Sequence, residues 1–533
     1  MLDNLPPELF LSITDLLSQE DKVALTYISK TTYIKTLPAL YRRLYLNEKH
    51  YYPSDLDNSL GTHCWSVLYY PYDSKKETRN ELSADKFQCL LNSLTRSPER
   101  LCPLIQAIHC TWNLDDTILK TFLSLLLKHG TNLQYFESFL KSYISDLLIH
   151  KAEKLETLTL TPPKVMPDVE AANEEYYNIS YTLFNSYNME NIQTLNIHVN
   201  ACTFFQKIKN PLKIKNLCIN LRPDTYNTQI MNLEDLVHYY DIFDTNSLKE
   251  LEVLSWYQNS DSELNIYGMW QLEDFWQFKN IEEFTLLSLF ANEYFLSGCL
   301  ANFENLKRLK LDYMFDVALS KRMVDYMGQS KCASTLEYID VKFEPLDPAL
   351  IFIEQDEVSL FNINLVCKCQ DCNDTLHDVI LRKYFPTQES LTITDFSDVE
   401  KRNFLLQMFK LYPIIPYCPF LDRYPSIGYN AAPLSHHVAK VNSLLKYAKE
   451  QESRKITESD IIKIYHAHIH SLKKSLDYFL QNFLKLDYLV INDLPTKIIQ
   501  IDGLQKCNIP IFHNYGYKSN QVYELVNDES LFD

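Results

Sequence analysis

Residues 306–311 read LKRLKL, and this hexapeptide decides the fold because its spacing, apolar-x-x-apolar-x-apolar, recurs along most of the chain. Successive side chains of a β-strand point to opposite faces, so Leu309 and Leu311 would share one face and Lys310 would lie on the other. The hexapeptide motif therefore predicts a short strand with one buried and one polar face. Its other copies are Leu155/Leu158/Leu160, Ile192/Leu195/Ile197, Ile214/Leu217/Ile219, Leu248/Leu251/Val253, Ile281/Phe284/Leu286, Leu336/Ile339/Val341, Val358/Phe361/Ile363 and Leu486/Leu489/Ile491, with Leu391 and Ile393 as a worn copy.

The spacing of the copies indicates a repeat architecture. From Ile192 to the worn copy, the motif begins at intervals of 22 to 34 residues, and helical stretches separate the copies. A leucine-rich repeat has a period of about 20–29 residues, in which a short strand is followed by a return segment. Stacked units of this kind build a curved parallel sheet with outer helices. The predicted fold class is therefore α/β, an irregular leucine-rich-repeat solenoid.

A doubly wound α/β domain is the alternative, since it also alternates strands with helices. Its strands are buried on both faces and read as near-continuous apolar runs. Here the apolar positions are flanked by Lys307, Arg308 and Lys310. One polar face fits the exposed concave wall of a solenoid better, and such a wall is the expected place for a target. Its candidate target-facing residues are Lys307, Lys310 and Trp256.

The amino-terminal residues 2–46 read LDNLPPELFLSITDLLSQEDKVALTYISKTTYIKTLPALYRRLYL and predict three short helices. Asn4 would cap the first helix near Pro6, Ser18 would open the second, and the third would follow Pro38. Three helices in about 45 residues bury little of their own apolar surface, so a surplus is expected to face a partner. The first apolar stripe holds Leu9, Ile13, Leu16 and Leu17; the second holds Val23, Leu25, Ile28 and Tyr33; the third holds Leu40, Tyr41 and Leu44.

This segment resembles the F-box family, whose pattern is Leu-Pro-x-Glu-Leu, an Ile four residues on, a Leu pair, an Asp, Ser-Lys and a terminal aromatic residue. Tyr41 stands where tryptophan is common, and the matching residues are Leu5, Pro6, Glu8, Leu9, Ile13, Leu16, Leu17, Asp21, Leu25, Ser29, Lys30 and Tyr41. The resemblance implies that the segment binds the Skp adaptor of an SCF complex by apolar packing. The alternative is that the same side chains form only the core of a helical subdomain. The residues implied in adaptor binding are Leu5, Pro6, Leu9, Ile13, Leu16, Leu17, Leu25 and Tyr41.

The whole arrangement resembles the fungal F-box/leucine-rich-repeat proteins. That resemblance implies a non-catalytic substrate receptor of a ubiquitin ligase, joined through Skp to cullin and RING subunits, with a protein target on the solenoid. The alternative function is a cullin-free Skp complex that sequesters or inhibits a partner such as a Rab-type GTPase. The expected domains are an F-box at 1–47, a connector at 48–83, a solenoid at 84–397, a mainly helical insertion or cap at 398–482, and a last repeat with a tail at 483–533.

The composition excludes several classes of protein. The chain holds only 8 glycines, and the closest pair is Gly503 and Gly516, so no glycine-rich phosphate loop can be written. A net charge of −18 disfavours nucleic acid as a partner. Thirteen cysteines, mostly isolated in apolar runs, indicate a reducing compartment, and no apolar run is long enough to span a membrane. The expected location is cytoplasmic or nuclear, and no cofactor is predicted.

One cysteine cluster has a spacing that could hold a metal. Cys367, Cys369, Cys372 and His377 form C-x-C-x-x-C-x₄-H, and thiolates this close can meet on one zinc ion. A strong zinc signature has two separated C-x-x-C pairs, so reduced cysteines in a tight turn are the favoured interpretation. No catalytic residue and no metal ligand is therefore assigned.

Overall fold

The computed structural model describes the greater part of the repeat strands and of the amino-terminal helices. The residues described are 5–15, 17, 19–47, 66–69, 77–110, 116–139, 154–161, 187–199, 211–221, 238–255, 272–288, 293–313, 321–342, 370, 374, 414–416, 476–477, 479–491, 494–501, 505–514 and 521–524.

The chain divides into two compact units, and each is α/β with a mainly parallel sheet. Unit 1 comprises Met1–Trp256, Ser260–Phe278 and Leu421–Gly428; unit 2 comprises Tyr257–Asn259, Lys279–Phe420 and Tyr429–Asp533.

Helices occupy the amino terminus and the segments between strands. The helices are α1 Pro7–Asp15, α2 Gln19–Thr26, α3 Lys30–Tyr41, α4 Glu77–Arg96, α5 Pro98–Leu101, α6 Asp116–His129, and the helices Tyr239–Ile242, Glu293–Asn302 and Lys321–Gln329; 3-10 turns span Cys102–Leu104, Tyr187–Asn191, Glu273–Gln277 and Lys331–Ser334. None of the helices in the described ranges is long and apolar enough to cross a membrane.

The strands follow the repeat along the chain. They are β1 Arg43–Asn47, β2 Ser66–Tyr69, β3 Ala107–Cys110, β4 Tyr135–Phe139, β5 Thr157–Thr161, β6 Thr194–Val199, β7 Asn216–Leu221, β8 Glu250–Ser255, β9 Glu283–Ser288, β10 Arg308–Tyr313, β11 Tyr338–Lys342, β12 Ile414–Pro416, β13 Tyr488–Ile491, β14 Leu494–Ile501, β15 Gln505–Asn514 and β16 Gln521–Glu524.

Both sheets are built from parallel neighbours. In unit 1 the strand order is β2-β1-β3-β4-β5-β6-β7-β8, and every pair is parallel. In unit 2, β9, β10, β11 and β13 are parallel, and the antiparallel strands β14 and β15 follow. Strands β12 and β16 both pair antiparallel with β15. The residues predicted as a last repeat and tail thus include an antiparallel meander.

The hexapeptide motif predicts the strands and their buried face correctly wherever the structure describes a copy. Leu306, Leu309 and Leu311 are each 0% exposed, and the first of them lies just before β10. The apolar positions of the copies that begin at Ile192, Ile214, Leu248, Ile281 and Leu336 are likewise buried. The same spacing also occurs at Tyr41/Leu44/Leu46, across β1, and at Ile105/Ile108/Cys110, across β3, two copies that the sequence analysis missed.

The predicted third helix after Pro38 is wrong. Helix α3 begins at Lys30 because Ser29 caps it: Ser29 Oγ accepts the Thr32 N–H at 3.0 Å, and Thr32 Oγ1 accepts the Ser29 N–H at 2.9 Å. Pro38 lies inside α3, where a proline removes one backbone hydrogen bond. Leu44, predicted in a helix, is in β1. The sheet therefore begins immediately after the third helix, within the segment predicted as helical.

The connector prediction also needs a correction. Strand β2 lies within residues 48–83 and pairs with β1, and α4 begins at Glu77 rather than near Ala84. A four-residue strand next to a tyrosine-rich stretch has no hexapeptide motif, so the pattern search could not find it.

Strands β11 and β13 are neighbours in the sheet although a long segment of the chain separates them in sequence. Strand β11 pairs directly with β13, with Tyr338 opposite Tyr488 and Ile339 opposite Leu489. The predicted copy at Val358 and the worn copy at Leu391 lie outside the described residues. Of the predicted helical segment 398–482, the structure describes β12, 476–477 and the helical residues 479–482.

We expect Gly328→Ala to lower the free energy of unfolding by about 1–3 kcal/mol, because the added methyl group overpacks a close approach. A Cβ built on Gly328 would lie 2.7 Å from Asn482 Oδ1 and 3.0 Å from Asn482 Cγ. Urea unfolding of the purified chain measures the change. Adding Asn482→Ala removes Oδ1 and Cγ but keeps Cβ, which is also 3.0 Å away, and should recover part of the loss. A Gly328→Ala variant as stable as the wild type would contradict this close packing.

Candidate partner-binding surfaces

The three amino-terminal helices expose large apolar side chains. Leu9 is 55% exposed and Tyr27 is 83% exposed, values typical of a surface that lacks a cover. Across the rest of the described residues, the large hydrophobic side chains with comparable exposure are Tyr240, Tyr294, Tyr326 and Leu484. The exposed set of the amino-terminal helices, here called the apolar surface, is Leu9, Ile13, Val23, Tyr27, Ile28, Tyr33 and Ile34.

The interior of the same helices contains an unusual share of polar residues. Thr14, Lys22, Thr32 and Thr36 are all nearly completely buried. Two of the threonines bond within their own helices: Thr14 Oγ1 donates to the Leu11 carbonyl at 3.0 Å, and Thr36 Oγ1 donates to the Thr32 carbonyl at 2.7 Å. Burying threonine and lysine contributes less hydrophobic stabilisation than burying the leucine, isoleucine and tyrosine residues that remain outside. The helices also bury Phe10, Leu37 and Ala39, but seven large apolar side chains remain outside while these polar residues occupy interior positions.

Polar contacts hold α1 against α3. Arg42 Nη2 forms an ion pair with Asp15 at 2.5 Å, and Lys35 Nζ donates to the Leu5 carbonyl at 2.7 Å. Lys35 also lies over the Phe10 ring, with Nζ 5.9 Å from the ring centroid. These contacts fix the arrangement of the helices without using the apolar surface.

The structure sorts the predicted adaptor-binding residues into three groups. Pro6, Leu9 and Ile13 are exposed, and the last two lie four positions apart on one face of α1. Leu16 lies outside the described residues. The half-buried residues are Leu5, Leu17, Leu25 and Tyr41.

Tyr41 lies against the next helix. Its hydroxyl is hydrogen-bonded to Ser93 of α4, and burial raises the pKa of Tyr41. Tyr41 therefore joins the amino-terminal helices to the first helix of the repeat, which differs from the partner-facing role that the resemblance implies for it.

Tyr27, Ile28, Tyr33 and Ile34 were missed as surface residues because the helix boundary was misplaced. Val23, Ile28 and Tyr33 were read as one stripe of a single second helix. In the structure α2 ends at Thr26, and Tyr27 and Ile28 occupy the turn before the Ser29 cap. The capping pattern of Ser29 with Thr32 was the signal in the sequence that could have located this turn.

A second candidate surface is the polar face of the unit 1 sheet. Strand pairing in register places one residue from each of seven strands side by side. We call these residues the polar row: Tyr45, His109, Glu137, Thr159, Asn196, Cys218 and Glu252.

Glu137 is the most strongly held charge of the polar row. His109 Nδ1 lies 2.6 Å from Glu137 Oε2, and the Tyr135 hydroxyl donates to the same oxygen at 2.5 Å. The Tyr45 ring stacks on His109 with centroids 4.4 Å apart. Burial alone would raise the pKa of Glu137, but the charge and hydrogen bond of His109 and the hydrogen bond of Tyr135 outweigh it and lower the pKa. Glu137 is therefore a buried carboxylate at neutral pH.

The polar face is less open than the sequence predicted. Glu137 is only 8% exposed, and Thr159 and, in unit 2, Asp340 are also buried. The expectation of an exposed concave wall is thus wrong at these positions. His109, Asn196 and Glu252 remain partly exposed.

The structure describes two of the three residues that were predicted to face a target. Lys307 is exposed, lies just before β10 and pairs with Glu282 at 2.8 Å, and this hydrogen bond and the charge of Glu282 raise the pKa of Lys307. Lys310 lies on the polar face of β10, between Thr285 and Asp340 in register. Trp256 lies outside the described residues.

The candidate metal cluster also falls on residues that the structure does not describe, since Cys367, Cys369, Cys372 and His377 all lie there. Within the described ranges, no group of three or more histidine, cysteine, aspartate or glutamate side chains is arranged to hold a metal ion.

Two proteins of Saccharomyces cerevisiae are similar to the chain over nearly its whole length. F-box protein YDR131C is 39% identical over 556 residues, which cover 100% of this chain and 100% of that protein. F-box protein DAS1 is 25% identical over 596 residues, which cover 97% of this chain and 88% of that protein. No family model matches the chain. The similarity thus extends far beyond the amino-terminal helices.

We expect Glu137→Gln to lower the free energy of unfolding by about 1–3 kcal/mol at neutral pH, because the amide replaces a buried, hydrogen-bonded carboxylate. Since the folded-state pKa of Glu137 is lowered, its contribution is present above its unfolded pKa and is lost as pH falls through the folded value. Urea unfolding at neutral and acidic pH should show the two proteins converging in acid. A gap that stays constant with pH would contradict the lowered pKa.

Proposed function

This chain belongs to the fungal F-box protein family, and from that premise we propose that it is the substrate-recognition subunit of an SCF-type ubiquitin ligase. The amino-terminal helices would bind the Skp adaptor, and the solenoid that follows would hold a protein target. We propose an F-box at 1–47 and a leucine-rich-repeat solenoid that continues to 397, with β2 and the start of α4, both within the predicted connector 48–83, already part of it.

The apolar surface of the amino-terminal helices is the observation that carries this proposal. Leu9 and Ile13 are exposed on one face of α1, while Thr14 and Lys22 are buried. Covering a large apolar side chain with a partner contributes about 1.5–3 kcal/mol for each fully buried residue. A helical adaptor with an apolar groove would provide that cover, and the three helices would become a stable domain only in the complex.

The proposed role in the reaction is positional. The subunit supplies no reacting group; it holds a lysine of the target near the conjugating enzyme that the cullin and RING subunits bring. Tethering raises the effective concentration of the target and makes the transfer step intramolecular. The six described cysteines without disulfides, Cys89, Cys102, Cys110, Cys218, Cys299 and Cys332, are compatible with a cytoplasmic or nuclear site of action.

Charge on the apolar surface should abolish adaptor binding. We expect Leu9→Asp with Ile13→Asp to weaken Skp binding by about 100-fold or more, since each substitution places an unpaired charge in an apolar interface. Isothermal titration or pulldown with purified Skp adaptor measures the loss. Leu484→Asp is the matched control, because Leu484 is 73% exposed and lies in unit 2. Adaptor that binds the double variant as tightly as the wild type would remove the basis of the proposal.

The composition of the purified complexes distinguishes the ligase function from the cullin-free sequestering function. Cullin and RING subunits that co-purify with chain and adaptor support a ligase. A stable chain–adaptor complex that excludes cullin supports the sequestering function instead.

The turn between α2 and α3 should belong to the same interface. We expect Tyr27→Ser or Ile28→Ser to weaken adaptor binding by about tenfold, because each removes a large exposed apolar side chain from the apolar surface. The free energy of unfolding of the isolated chain should change little, since both side chains are exposed. Unchanged affinity in both variants would restrict the interface to α1.

A further inference from the structure

The edge of the unit 1 sheet at which the strands begin carries exposed lysines, although the chain as a whole has a net charge of −18. Lys154 precedes β5, and Lys213 and Lys215 precede β7. Strand β6 lies between these two strands, so the lysines stand about 10 Å apart along the edge. We call these three residues the lysine edge.

The lysine edge is hydrogen-bonded to neutral amides. Lys215 Nζ donates to Gln193 Oε1 at 3.0 Å, and Lys154 Nζ donates to Asn132 Oδ1 at 2.8 Å. In the part of the chain that the structure describes, no carboxylate forms an ion pair with Lys154, Lys213 or Lys215. An amide satisfies a hydrogen bond but does not cancel a charge, so the positive charge of this edge is kept.

The equivalent positions of unit 2 show how a repeat can cancel this charge. Gln193 and Lys215 each follow the first apolar residue of consecutive hexapeptide motifs, and Glu282 and Lys307 occupy the same position in consecutive motifs of unit 2. There Lys307 Nζ forms an ion pair with Glu282 Oε2 at 2.8 Å. Gln193 thus stands where unit 2 has a carboxylate, and this difference leaves the charge of Lys215 to another molecule.

The backbone of the lysine edge is fixed by its neighbours. The Gln193 carbonyl accepts the Lys215 N–H at 2.8 Å, and Leu212 forms a parallel bridge with Phe243. Backbone hydrogen bonds therefore hold both sides of Lys213. A partner that pairs with these lysines orders only side chains, which lowers the entropic cost of binding.

Carboxylates also occur along the same edge and limit the kind of anion that fits. Glu156 and Glu190 are exposed before β5 and β6, and Asp244, before β8, accepts the Asn246 N–H at 3.1 Å. They interrupt the positive charge, and with the net charge of −18 they disfavour a continuous polyanion such as nucleic acid. A protein segment with a few spaced carboxylates can match the lysines alone.

We propose that the lysine edge docks an acidic, extended segment of the target protein, with one carboxylate at Lys213 and Lys215 and another at Lys154. An extended chain rises about 3.3 Å per residue, so carboxylates three residues apart span the roughly 10 Å between the two ends. The proposal rests on the proposed function only in calling this segment part of the target.

The test measures binding of a defined probe to the full-length chain. The probe is a short fluorescent peptide with glutamate at every third position and glycine between, and its glutamine counterpart is the uncharged control. Fluorescence anisotropy gives the dissociation constant at low and moderate salt. We expect only the glutamate peptide to bind, with an affinity that falls as salt rises because the lysines are exposed.

Three variants, each lowering the net charge by one, separate the lysine edge from diffuse charge. Lys215→Gln removes the cation, and Gln193→Glu gives it the carboxylate partner seen in unit 2; each should weaken binding about threefold. Lys307→Gln is the matched control, because Lys307 is exposed at the same motif position but already paired with Glu282. It should leave the dissociation constant unchanged. Circular dichroism of each variant confirms that it is folded.

Several results would overturn the proposal: an equal loss with Lys307→Gln, no loss with Gln193→Glu, or a wild type that does not bind the glutamate peptide. Tighter binding of an oligothymidylate with the same number of charges would assign the edge to nucleic acid instead. Adaptor pulldown on the same proteins keeps the two proposals apart. Peptide binding without adaptor binding keeps the lysine edge and removes the ligase role, whereas adaptor binding without peptide binding does the reverse.

Discussion

Both sheets depend on one backbone interaction that repeats from strand to strand. In most of the described hexapeptide motifs, the residue after the first apolar position presents a carbonyl that accepts two N–H groups from the next repeat. The Glu156 carbonyl accepts Gln193 N–H at 2.9 Å and Thr194 N–H at 3.0 Å, and in unit 2 the Lys307 carbonyl accepts the N–H groups of Glu337 and Tyr338. This keeps all parallel neighbours in one register. Because side chains alternate, a slip of one residue would move every buried leucine to the polar face, so the apolar pattern and the hydrogen bonds enforce the same pairing.

The same interaction connects the amino-terminal helices to the sheet through Arg42. Its carbonyl accepts the N–H groups of Gln106 and Ala107, both at 2.9 Å, which aligns β3 with β1. Its guanidinium pairs with Asp15 of α1. One residue therefore belongs to the helical packing and to the strand ladder, and Tyr41 adds a contact with α4. No flexible linker separates the apolar surface from the first strands of the sheet, so a partner bound to the helices would be held in a defined orientation relative to the polar row.

The sequence predicted the parts of this fold that depend on a local pattern. The motif at Leu306, Leu309 and Leu311 shows the reason. Two leucines are buried at alternate positions of the strand and one just before it, so the motif has a fixed spacing that can be recognised in the sequence. The start of α3 was misplaced because Pro38 was taken as the position at which a new helix begins. The Ser29 cap is a weaker signal in the sequence, yet it determines where α3 begins. The adjacency of β11 and β13 has no local signature, since it depends on pairing across a long segment. The polar row is likewise visible only after the register is known.

The sequence predicted a surplus of apolar residues on these helices but not which side chains are exposed. A pattern of apolar residues at helical spacing does not say what that face contacts; the core and adaptor interpretations were even for any single residue, and the adaptor interpretation was favoured for the segment as a whole. In the described helices Thr32 and Thr36 are buried, whereas Tyr33 and Ile34 beside them are exposed. Evolution of a self-contained domain would exchange these environments, because burying tyrosine and isoleucine stabilises more than burying threonine. The threonines Thr14 and Thr36 bond within their own helices, while the large apolar residues remain on the surface that we propose the adaptor covers.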